Sequence, residues 1–100
     1  MPYIANDKRK EIDTAVDQMA KVLNNAIVDD NDFPGVLNYA ITKIILKTIK
    51  IRFGSLRYHI WCWVSGMLMD IRSEFYRRRI SSYEDTKKIQ NGDVGYEDLK

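Results

Sequence analysis

Ile12, Val16, Met19, Leu23 and Ile27 recur at steps of four, three, four and four. That spacing draws one apolar stripe along a helix and predicts a first helix over residues 7–28. Asp7 suits its cap, and Glu11 places a negative charge near the positive end of the helix dipole. The stretch DDNDFPG (29–35) then breaks the pattern with short polar residues, a proline and a glycine. A second helix follows over 36–51, where Leu37, Ile41, Ile44, Ile45 and Thr48 form a broad face opposite Lys43, Lys47 and Lys50. Gly54 can end that helix and Ser55 can start the next.

The third helix is predicted over 56–80. Leu56, Ile60, Trp63, Val64, Met67, Ile71 and Phe75 line one side of it, while Tyr58, Trp61, Cys62, Met69 and Tyr76 gather on the other. A helix that is apolar nearly all round has to be covered nearly all round. One domain of 100 residues has little chain for that task, so Trp61 and Met69 suggest a subunit interface or a ligand pocket, and Tyr58, Trp61 and Met69 are candidate contacts in a symmetric dimer through the third helix. Gly66, in mid-helix, hints at close backbone packing or a kink. Residues 81–100 are polar; the stretch SSYEDTKK could make one short helix capped by Ser82, and the whole is read as a mostly extended C-terminal arm. The reading is therefore an all-α domain spanning 1–100: a small three-helix bundle with a long third helix and a polar arm.

Composition narrows the functions open to such a domain. The net charge is only +2, too small to mark the whole chain as a nucleic-acid binder. Charge is unevenly spread, however: residues 1–32 carry −3, residues 33–69 carry +5 with no acid, 70–80 carry +2 and 81–100 carry −2. Lys43, Lys47, Lys50, Arg52 and Arg57 make up the basic middle. Their runner-up role is nucleic-acid binding; their plain role is charge balance within one fold. The start MPYIAND lacks the charged and apolar regions of a signal peptide, and the uncharged run 59–69 is too short to span a bilayer. A cytoplasmic location without membrane attachment is expected.

Little in the chain can carry catalysis. One His and one Cys cannot close a metal site. Cys62, flanked by Trp61 and Trp63, reads as a small buried hydrophobe. Phosphate-binding glycine loops are absent. No cofactor is expected, and the protein is read as a non-enzyme.

The stretch EFYRRRISSYEDTKK (74–88) holds the strongest candidate site. Arg77, Arg78 and Arg79 would spread over about 200° of a helix. One reading makes them a cationic helix end paired with Glu84 and Asp85. The other makes them a clamp for phosphate or carboxylate, with Tyr76 and Tyr83 as stacking faces and Glu84, Asp85 and Lys87 alongside.

The segments MPYI (1–4), LNYAITK (37–43), EFYRR (74–78), YEDTKK (83–88) and NGDV (91–94) also follow an ordered pattern. In order and spacing the chain resembles a family of short, uncharacterised proteins from phages, bacteria and archaea, classed as a domain of unknown function. The resemblance implies a helical protein of this length and carries no activity, cofactor or catalytic residue with it. Relatives tend to hold Asn and Glu near the positions of Cys62 and Met69, so any site built on that polar pair would be altered here. The pattern favours an ordered tail, folded back on its own bundle or crossing to a neighbour, with Glu84 or Asp85 meeting an arginine. The expected function is that of a homo-oligomeric accessory protein, with a phage gene as one expected source. It would bind a protein partner or a small anionic ligand, in one version sequestering a nucleotide signal.

Overall fold

The structure is a computed structural model that describes residues 2–99. It is all-α, with no strand among the described residues. Four α-helices follow in order: α1 (Asn6–Ala26), α2 (Phe33–Phe53), α3 (Tyr58–Phe75) and α4 (Ser81–Asn91). Short 3-10 turns occupy Asp30–Asp32 and Tyr96–Leu99, and a π-helical turn occupies Tyr76–Ile80. The chain forms two units, 2–64 and 65–99, each described by itself below.

In the first unit, α1 begins one residue earlier than its stripe predicts. Ala5, in extended conformation, takes the cap position, and Asp7 lies inside the first turn. Arg9 Nε donates to the Ile4 carbonyl at 2.9 Å and holds the approach to the helix. The α1–α2 connection is built by its aspartates. Asn31 N–H donates to Asp29 Oδ1 at 2.8 Å, and Asp29 N–H donates to Asp32 Oδ2 at 3.1 Å. This reciprocal pair is a capping box, with Asp standing in the place usually taken by Glu.

α2 starts at Phe33, three residues before its predicted boundary. Pro34 and Gly35, expected to lie in the break, occupy the first turn instead. Proline is tolerated there because the first N–H groups of a helix have no intrahelical partner in any case. Gly54 ends α2 as predicted. Its φ of 81° suits a residue without Cβ, and its N–H donates to the Ile49 and Lys50 carbonyls. Ser55 does not cap α3, which starts three residues later at Tyr58.

Burial in this unit is sparse. Ile60 is 2% exposed and Ala40 is 8% exposed, and these are the buried hydrophobic residues among those described. Phe53 and Trp63 bring their rings to 6.3 Å, which packs the end of α2 against the start of α3. Of the stripe on α1, Ile12, Val16 and Met19 remain exposed. Cys62 is exposed as well, against the buried place expected of it. An apolar neighbourhood in sequence buries a side chain only if another element covers that face, and none of the first unit lies over Cys62.

The second unit departs most from expectation. The helical path does not stop at residue 80 to release an extended arm. It passes through the π turn into α4 and continues to Asn91. The polar arm is thus helical over 81–91; Lys100 lies outside the described residues. Local propensity accounts for this, because Glu, Gln and Lys are good helix formers and no proline interrupts them. Gly92, at φ 87°, then ends α4, its N–H donating to the Lys88 carbonyl at 2.9 Å. Gly66 has open space where a Cβ would stand, so close packing within the chain is not what selects glycine there.

Candidate functional site

The arginine run lies on the π turn. The Ser81 N–H reaches back five residues to the Tyr76 carbonyl, which widens the turn by one residue. Single π turns inside α-helices are rare and occur often at functional sites. Widening changes the phase of every side chain that follows, so α4 does not simply continue the faces of α3.

Arg77 is committed to the protein. Its Nη2 meets Glu74 Oε1 at 2.7 Å, and its Nε donates to Glu74 Oε2 at 3.3 Å. The fork is bidentate, and the spacing is the i,i+3 of neighbouring helix positions. This pair is legible in the sequence as EFYR, an acid three residues before an arginine, and the expectation of pairing with Glu84 or Asp85 passed it over. Arg78 and Arg79 have no ion pair or hydrogen bond from their side chains among the described residues.

The expected pairing of Glu84 or Asp85 with an arginine does not form. The reason is geometric. A folded-back arm could bring these acids to the arginines, but a continuous helix moves them along the axis by about 1.5 Å per residue. Glu84 stands five or more residues from each arginine, outside the i,i+3 and i,i+4 neighbourhood. Tyr83 is exposed, and its ring is faced by Lys87 Nζ at 5.7 Å, an i,i+4 cation–π contact. Tyr76 is exposed on the turn itself. Residues 76–87 therefore present two aromatic rings, two guanidinium groups without a side-chain partner among the described residues, one ammonium and two carboxylates.

The candidate subunit contacts are solvent-facing: Tyr58 is 80%, Trp61 54% and Met69 68% exposed. Tyr58 and Trp61 stack with ring centroids 6.2 Å apart. In the basic middle, Lys50 Nζ donates to the Gly54 carbonyl at 3.2 Å and Arg57 Nη2 to the Phe53 carbonyl at 3.4 Å. Lys43 lies over the Tyr39 ring at 5.7 Å. These bases satisfy the carbonyl end of α2 or cover its surface, which suits the helix dipole. His59 meets the Trp63 ring edge-on at 5.0 Å. Among the described residues no group of three His, Cys, Asp or Glu could hold a metal ion, and no helix is long and apolar enough to cross a membrane.

A second feature lies wholly in the first unit. α1 and α2 enclose an open groove of about 980 Å³. Its walls are the two apolar stripes, chiefly Val16, Met19 and Leu23 from α1 and Phe33, Leu37 and Ile44 from α2. The stripes were legible in the sequence; that they would face open solvent was not.

A family model described as "Domain of unknown function (DUF6899)" matches residues 1–94. No curated protein and no solved structure matches the chain.

Proposed function

The chain belongs to that family, and within it we propose an oligomeric, non-catalytic binding protein that takes a small anionic, nucleotide-like ligand at the arginine turn. The observation that carries this reading is the state of Arg78 and Arg79. Two guanidinium groups without a side-chain partner among the described residues stand on a π turn between exposed Tyr76 and Tyr83. Guanidinium binds phosphate oxygens through paired N–H donors, and tyrosine faces accept nucleobases by stacking. Glu84 and Asp85 then serve as acceptors for ligand hydroxyl or amino groups, and Lys87 adds a third cation. Arg77, held by Glu74, shapes the turn more than it meets the ligand. Exposed Tyr58, Trp61 and Met69 support contact with a further subunit. A binder of this kind acts by sequestration, and the setting proposed for it is the cytoplasm, in a host cell if the gene is viral.

Native mass spectrometry of the freshly purified protein, followed by titration with mono- and cyclic dinucleotides, tests the reading. A nucleotide-mass adduct, lost in Arg78→Ala/Tyr83→Ala while melting is unchanged, supports it. Loss of thermal stability in that variant, with no ligand bound by the parent protein, returns the arginines to a helix-end role. Nucleic-acid binding through Lys43, Lys47, Lys50, Arg52 and Arg57 is the second reading, favoured by the absence of any acid over residues 33–69. It separates from the first by salt: affinity for a duplex falls with a slope of about −0.9 per phosphate neutralised.

A further inference from the structure

We propose that the α1–α2 groove is a self-association surface, filled by the same groove of a second copy with the two α2 helices antiparallel. The inference rests on the self-association part of the reading above and not on its ligand.

The first argument is burial inside residues 2–64, where Ile12, Val16, Met19, Phe33 and Ile44 line the groove and are exposed. These side chains form a continuous apolar seam on two helices, which is the half-site of a four-helix arrangement. A two-fold axis makes such a patch self-complementary.

The second argument is charge, and it selects the direction. Asp29, Asp30 and Asp32 stand at the start of α2, and Lys43, Lys47, Lys50 and Arg52 stand in its C-terminal half. No acid lies between Phe33 and Arg52. α2 is about 31 Å long, so the two charge groups sit near opposite ends. Side by side in parallel, two copies would oppose like charges at both ends. Antiparallel, each acidic turn meets the basic end of its partner. Asp30 is the aspartate that lines the groove, and the capping hydrogen bonds of the turn use the side chains of Asp29 and Asp32, not that of Asp30.

The test uses the full chain and measures its mass in solution by sedimentation equilibrium. The parent protein is expected to be a dimer or a multiple of one. Met19→Lys, at an exposed position that the single chain does not bury, is expected to give monomers with unchanged helicity. Asp30→Lys and Arg52→Glu, the latter at the base that follows Thr48 by four residues on the apolar face of α2, are each expected to weaken association about tenfold, and the double variant Asp30→Lys/Arg52→Glu to recover it within about threefold. The recovery is specific to the antiparallel arrangement, because parallel copies would set residue 30 against residue 30. Failure of the double variant to recover overturns the proposal. A parent dimer that survives Met19→Lys but dissociates on Trp61→Lys or Met69→Lys also overturns it and places the interface on α3, leaving oligomerisation intact. A monomeric parent protein overturns both this inference and the self-association part of the proposed function; the groove would then belong to another segment of the chain or to a different protein.

Discussion

Residues 2–64 and 65–99 leave different groups unsatisfied. The first unit exposes apolar side chains along the α1–α2 groove, and its acids and bases lie apart at the two ends of α2. The second is built on a helix whose distal part, 76–91, is polar, and its unpartnered groups there are guanidinium and carboxylate side chains on a π turn and the helix after it. Water solvates a free arginine well, so the arginine turn is stable as it stands, although Met69 and Phe75 before it on α3 are exposed as well. Water does not reward an exposed stripe of Val, Met and Ile, so the first state favours association. The two proposals divide along this difference: assembly is proposed for the helix pair and recognition for the arginine turn.

Stability changes should follow the same division, and the largest should fall in the first unit. Ile60 is its most buried side chain, so Ile60→Ala should cost about 2–5 kcal/mol in chemical denaturation. A loss below about 1 kcal/mol would show that Ile60 is not packed in solution, and that burial there depends on something other than this contact. Gly54 comes next. Its φ of 81° is unfavourable for residues with a Cβ, so Gly54→Val should cost about 1–3 kcal/mol even though open space surrounds the position. A neutral result would mean that α2 ends differently from the turn described. The smallest effects belong to the second unit. Glu74→Gln breaks an exposed fork with Arg77 and should cost no more than about 0.5–1 kcal/mol, decreasing as salt is added. A larger loss would make the fork a structural element of the π turn and would narrow the difference between the two regions.

How much of this was legible from residues alone depends on the range of the signal. The breaks at 29–35 and 52–57 were readable because aspartate, proline and glycine act within one or two residues. Pro34 shows the limit: it marked the break correctly in kind but sits in the first turn of α2, since proline fits a first helical turn as well as a loop. Tyr83 and Lys87 were named for the site, and their i,i+4 contact follows from helix spacing once 81–91 is known to be helical. The π turn had no such signal. It differs from an α turn by one hydrogen-bond register, and no residue type among Tyr, Arg and Ile enforces it.

The sequence by itself determined the α class, the positions of the first two helices within a few residues, the glycine end of α2 and the pairing distance of Glu74 and Arg77. All of these depend on neighbours no more than about one turn away. The tertiary structure decided that Ile60 is buried while most of each apolar stripe stays exposed, that Cys62 faces solvent, and that the helix runs through the arginines to Asn91 and so keeps Glu84 and Asp85 away from them. Periodicity states which side chains share a face. Whether that face is covered depends on what the rest of the chain, or another copy of it, places opposite.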